Sequence, residues 1–200
     1  MRPISCLVSI LHLLICAGAT FAQSGTYQKI DKNGSSCTIA IIKTGNKLEA
    51  AAFAWWGTTS GTNGNFSGAG TLKGQVCTVK SAEDAGCGLT ITLMNKKVKA
   101  IFNDCITSNL PEDFSGTYVL LTTALPGVYQ VEGDRSYFYK SASLKNKLKT
   151  YLVKADKVLI TLENIHNKEW VYINYRNLAG HETSGYMRFS ALKLVKQNLN

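Results

Sequence analysis

The 200-residue chain is 45% hydrophobic and carries 22 basic against 13 acidic residues, a formal net charge of +9. That apolar content can pack a core in each of one or two domains and excludes an intrinsically disordered chain. Seventeen glycines, three prolines and many short runs of Val, Ile, Thr, Tyr and Phe point to an all-β chain with tight turns and argue against a helical bundle.

A basic start at Arg2 precedes the apolar run Cys6 to Ala19, with small residues at Thr20 and Ala22. This run is short for a membrane span and no stop-transfer stretch follows it. Residues 1–22 therefore read as a secretory signal peptide rather than a retained anchor. The chain is expected to be exported, to the periplasm or beyond the cell, with no stable membrane insertion after the leader is removed. Loss of Cys6 and Cys16 would leave Cys37, Cys77, Cys87 and Cys105, an even set that suggests two disulfides. Zinc is the competing explanation, but no C-x-x-C pair is present, so no metal is expected.

Residues 23–122 carry turn and alternation signals for about eight short strands. Tyr27 to Ile30 leads into the turn Asp31-Lys32-Asn33-Gly34. Cys37 to Lys43 and Lys47 to Trp56 flank Thr44-Gly45-Asn46. A flexible loop is expected from Gly57 to Asn65, then a hairpin of Phe66 to Lys73 with Gln75 to Ser81. In CGLTITLMNKKVKAIFNDC a two-residue turn at Asn95-Lys96 sets Leu93 opposite Val98, Ile91 opposite Ala100 and Leu89 opposite Phe102, all on one face. Cys87 then falls opposite Asp104, and a Cys87–Cys105 bridge needs a bulge or a slack strand end. The remaining pair would be Cys37–Cys77, although four cysteines permit three arrangements.

The tetrapeptide SGTY occurs at Ser24–Tyr27 and again at Ser115–Tyr118. Eight antiparallel strands leave two edges, and pairing the first with the last removes them. The repeats would then start the two strands of the barrel seam, each tyrosine placing its ring in the barrel end with its hydroxyl near water. Of Trp55 and Trp56, adjacent on a strand, one should enter the barrel while the other faces outward, under the following loop or toward a ligand.

A boundary is expected at Thr122 to Gly127, with a second domain over residues 127–196. The charge balance shifts there: nine basic against seven acidic residues over 23–124, twelve against six over 125–200. Alternation of Val158, Ile160 and Leu162, and of Trp170, Tyr172 and Asn174 against Val171, Ile173 and Tyr175, suits a small bent barrel. The phrases YLVKADKV (151–158) and EWVYINY (169–175), with Gly185-Tyr186-Met187 and Ser190-Ala191-Leu192, resemble a bacterial SH3-like domain over about sixty residues. The glycine usual before the acidic turn residue is Ala155 here. The first half, with its G-x-Y start, paired cysteines and closing F-S-G-T-Y, resembles small secreted barrels of the calycin type. Within that group, Asn65-Phe66-Ser67-Gly68-Ala69-Gly70 is similar to the Ser/Gly-rich loop of periplasmic lysozyme inhibitors, without their following basic residue or cysteine frame. The fold expected is all-β: an eight-stranded antiparallel calycin-like barrel followed by a small SH3-like barrel.

Residues suited to catalysis are sparse. Beyond the leader the histidines are His166 and His181, both in polar turn sequence. All four cysteines are expected in bridges, and Asp104, Glu112 and Asp113 read as surface charge. Glycine-rich 57–70 lacks the Lys-Ser/Thr helix start of a phosphate loop. No catalytic residue and no cofactor is therefore expected. Lysines 140, 145, 147, 149, 154 and 157 stand among Tyr137, Tyr139, Tyr151, Trp170, Tyr172, Tyr175 and Tyr186. This is either a solvated face or a positive rim for an anionic polymer or acidic protein. The resemblance implies binding at the cell envelope to a peptide, peptidoglycan or an acidic partner. Tyr139, Tyr151, Trp170, Tyr186, Lys147 and Lys149 are the candidate binding residues. Export takes the chain away from nucleic acid. Inhibition of a secreted hydrolase such as lysozyme, through the 57–70 loop, is the alternative.

Overall fold

The computed structural model describes residues 24–177 and 179–199; the expected signal peptide lies outside them. Eight strands, β1 (Gly25–Ile30), β2 (Ser36–Thr44), β3 (Lys47–Trp55), β4 (Asn63–Thr71), β5 (Val76–Ser81), β6 (Gly88–Met94), β7 (Lys97–Asn103) and β8 (Gly116–Thr122), form a closed antiparallel barrel. Each pairs with the next, and β1 with β8 closes the seam. Period-two alternation sends Ile39 and Ile41 of β2, Leu48, Ala50, Ala52 and Ala54 of β3, and Leu89, Ile91 and Leu93 of β6 into one core. The β6–β7 register is the one expected, Leu93 with Val98, Ile91 with Ala100 and Leu89 with Phe102. The segment after β7 folds over one barrel end, burying Leu110 and Phe114. Trp56 packs edge-on against Phe114 at 5.5 Å and donates its indole N–H to the Asn109 carbonyl at 3.1 Å. Trp55 is the outward ring of the pair.

Three expectations change. The segment from Asn63 is strand, fully paired with β3, so Asn65 to Gly70 is not a projecting loop. The SGTY copies begin β1 and β8, but in an antiparallel seam they lie at opposite ends, and both tyrosine rings are wholly buried. The Tyr118 hydroxyl does not reach water; it donates to the Phe114 carbonyl at 2.6 Å.

Cysteine pairing is the third change. Cys87–Cys105 is bonded, with a Cα–Cα distance of 4.5 Å. Asp104 makes this possible by taking a left-handed backbone, φ 54°, at the strand end. Cys37 and Cys77 are not bridged; both are buried free thiols. They sit on β2 and β5, three strand steps of roughly 4.8 Å apart, beyond the Cα–Cα reach of about 7 Å that a disulfide allows. Cys37 is hydrogen-bonded with the Tyr118 hydroxyl, and burial pushes its thiol up from 9.0 to about 12. An unfolded chain gives up that proton near the ordinary value while the barrel retains it. The neutral thiol therefore contributes its full stability below about pH 9, and the contribution is lost as pH rises toward 12. Urea midpoints of the full chain should fall across that window, and fall less in a Cys37→Ala variant; equal slopes would refute the assignment.

The chain crosses from the barrel at Thr122–Pro126. Thr26 donates to the Ala124 carbonyl at 2.6 Å, and the Tyr129 hydroxyl donates to the Leu125 carbonyl at 2.7 Å. Seven strands follow: β9 (Gly127–Val131), β10 (Ser136–Tyr139), β11 (Lys147–Leu152), β12 (Lys157–Ile160), β13 (Trp170–Arg176), β14 (Glu182–Arg188) and β15 (Leu192–Gln197). They form a four-stranded sheet, β11-β10-β14-β13, and a three-stranded sheet, β12-β9-β15. Between the sheets lies a second core that includes Tyr129, Phe138, Ile160, Val171, Ile173 and Met187. A smaller cluster joins Ala40 and Ala51, on the outer barrel face, to Leu125 and Leu162.

At the turn between β11 and β12, Ala155 adopts the left-handed backbone, φ 74°, that glycine would take without cost. Asp156 holds the turn by accepting from the Val153 N–H at 2.8 Å. Because Ala155 is solvent-exposed, Ala155→Gly should remove steric strain and raise stability by roughly 1 kcal/mol, net of the greater freedom of the unfolded chain. A lower thermal midpoint would contradict this.

Candidate binding face

The outward face of the four-stranded sheet follows from alternation. Phe138, Leu152, Val171, Ile173 and Met187 point into the core. Their neighbours Tyr137 and Tyr139, Tyr151, Trp170 and Tyr172, and Tyr186 must therefore point the other way. Register aligns them across strands: Tyr139 pairs with Tyr186, Tyr186 with Tyr172, and Tyr137 with Tyr151. The sheet thus carries a continuous strip of rings.

The rings contact one another edge to face. Tyr172 and Tyr186 have centroids 5.1 Å apart, Tyr139 and Trp170 5.1 Å, and Tyr137 and Tyr151 5.5 Å. Such pairs contribute beyond their burial and hold each ring in one orientation. Cations flank the strip: the Lys147 ammonium lies 3.5 Å from the Tyr137 ring centroid and the Arg135 guanidinium 5.0 Å from that of Tyr151. Both are within the range of cation–π attraction. At the other end, Arg188 stands opposite Trp170 and approaches the Glu169 carboxylate at 3.8 Å. Its Nε is buried and has no acceptor among the described residues.

Five of the six candidate residues have ring contacts or cation contacts within this strip. Tyr139 and Tyr186 are half-buried near its centre, and Tyr151 is exposed at the β11 edge. Lys147 sits over Tyr137, whereas Lys149 is exposed on the same strand with no ring contact among the described residues. Trp170 is only 5% exposed and sits beneath Tyr139 as a support for the strip rather than an open platform. Two contributors were not among the candidates: Arg135, in the turn before β10, which was not singled out from the sequence, and His166, placed there in a polar turn, whose ring meets Tyr186 at 5.2 Å. A bridge between Ile165 and Val171 folds the His166 turn back over the sheet. Tyr175, by alternation, lies on the opposite side and packs on the core, its hydroxyl donating to Asp156 at 3.4 Å.

Rings held by edge contacts beside exposed cations present a surface on which a flat or extended group can stack. His166 and His181 are exposed, and the free thiols lie inside the barrel away from this face. No family model, curated protein or solved structure matches the chain.

Proposed function

We propose that the chain is an exported, non-enzymatic binding protein of the cell envelope. In this reading residues 127–196 form an SH3-like unit, and the aromatic face docks on a peptide or a cell-wall component. The observation that carries it is the strip Tyr137, Tyr139, Tyr186 and Tyr172, continuous across three strands and flanked by Lys147 and Arg135. Rings already locked by edge contacts lose little entropy on binding, and flanking cations steer an anionic polymer toward them. The SH3-like reading is supported by strand pairing: β9 bonds β12 on one side and β15 on the other. The β10–β11 hairpin fills the long connection from β9 to β12, and a 3-10 turn, Phe189–Ala191, precedes β15.

Retention of the full chain on purified peptidoglycan tests the reading. Saturable retention that weakens with added salt is expected, because part of the attraction comes from exposed charges. A chain that stays in the supernatant at low salt, and binds no peptide from a displayed library, would overturn it.

A further inference from the structure

A second site stands apart from the aromatic face. Where β3 and β4 meet the 3-10 turn Leu162–Asn164 and the chain end, a cleft of about 400 Å³ opens. Its size falls within the roughly 300–1,000 Å³ typical of small-molecule sites. Phe53 and Leu162 supply apolar surface, and Asn65, Ser67, Glu83 and Glu163 supply polar groups around it. Among the described residues no lysine, arginine or histidine lines it, although the chain carries a net charge of +9. Glu83 and Glu163 are exposed, and neither enters an ion pair among the described residues.

The arrangement has chemical content. Register sets Phe53 directly opposite Asn65 and Ala51 opposite Ser67, so a ring and an amide share the same wall. The Asn65 amide donates to the Asn63 side-chain oxygen at 3.3 Å, which orients the two amides along the strand. Amides and carboxylates present donors and acceptors that match neighbouring hydroxyls, while an aromatic ring covers an apolar C–H face. A ligand with hydroxyls around its edge and C–H bonds on its face is a sugar ring. Two carboxylates with no neutralising cation repel uronic or sulfated sugars and favour neutral or amino-bearing ones.

We propose that this cleft is a saccharide site for one or two neutral or amino-bearing sugar rings. Trp55 lies one alternation beyond Phe53 on the same outward side of β3 and is 38% exposed. A longer saccharide leaving the cleft would run over its indole. This site is independent of the reading of the aromatic face, since the two share no residue.

Calorimetric titration of the full chain with cellobiose, N,N′-diacetylchitobiose, glucosamine and glucuronic acid tests the proposal. Saturable binding is expected for at least one neutral or amino sugar and none for glucuronic acid. Asn65→Ala, at an exposed position, should weaken that binding by about tenfold or more, and Phe53→Ala likewise. Glu163→Gln should selectively weaken glucosamine, and Tyr186→Ala should change nothing. No binding by any sugar of the panel would overturn the proposal. So would binding unchanged in Asn65→Ala, with an unaltered circular dichroism spectrum showing that the variant is folded.

Discussion

Replacing Tyr139 and Tyr186 together by alanine is expected to weaken binding to peptidoglycan, or to the peptide that occupies the aromatic face, by about a hundredfold. Each ring is the centre of a contact pair, Tyr139 with Trp170 and Tyr186 with both Tyr172 and His166. Truncation therefore removes the ring and also frees its neighbour to rotate. A central aromatic anchor typically costs roughly 2 kcal/mol on truncation, but Tyr139 and Tyr186 are paired neighbours whose losses overlap; a joint cost of about 3 kcal/mol is about a hundredfold at about 1.4 kcal/mol per factor of ten. Both side chains point away from the core but are half-buried against Trp170, Tyr172 and His166, so the thermal midpoint should fall while the variant stays folded at about 25 °C, which circular dichroism checks. Unchanged affinity in the double variant would remove these rings from the docking surface. Trp170→Ala is a poorer probe, because its burial beneath Tyr139 links binding to packing.

The largest expected effect on stability is at Gly68. A Cβ at that position would lie 2.0 Å from the Lys80 carbonyl oxygen and 2.8 Å from its carbon. These are backbone atoms of β5, and the neighbouring Gly68–Ser81 and Ala69–Lys80 pairs are the whole ladder between β4 and β5. That seam is the shortest in the barrel, so a shift large enough to relieve the clash would break it. Gly68→Ala is expected to cost roughly 3 kcal/mol or more, a large part of a total stability of about 5–15 kcal/mol. Gly74, also a barrel glycine, has open space around it. Gly74→Ala incurs only the strain of its positive φ, 63°. Equal urea midpoints for the Gly68 variant and the parent chain would show that β4 and β5 do not approach this closely.

Most of the barrel was legible because alternation and turn residues act locally. Leu89, Ile91 and Leu93 leave one arrangement for the β6–β7 hairpin, and a slip by one residue would expose all three. Closure followed from the edge problem that eight strands create. Cys37 and Cys77 illustrate what local pattern does not encode. Both have an inward place on their strands, but pairing depends on how far apart β2 and β5 fall around a closed cylinder. The start of β4 was missed because Asn63, Gly64 and Asn65 have poor strand propensity. Gly64 is needed there by proximity: a Cβ would lie 2.4 Å from the Asn109 carbonyl oxygen.

On the aromatic face the sequence supplied the residue types but not their depth. Alternation alone puts Trp170 and Tyr172 on one side; only the packing of Tyr139 over the indole buries it. The contribution of His166 depends on the turn that folds it onto Tyr186. The cleft proposed to take a saccharide left still less trace, because β3 and β4 wall it on one side while Leu162 and Glu163, more than ninety positions later, reach it from the other.

Titration of a soluble peptidoglycan fragment into the isotopically labelled full chain, followed by amide and tyrosine-ring NMR signals, tests the docking face most directly. Beside the shifts that the fragment's sugars produce at Phe53 and Asn65, shifts at Tyr137, Tyr139, Tyr172 and Tyr186, with smaller ones at Arg135 and Lys147, are the expected result. Shifts confined to the eight-stranded barrel, with those rings unmoved at saturation, would contradict it.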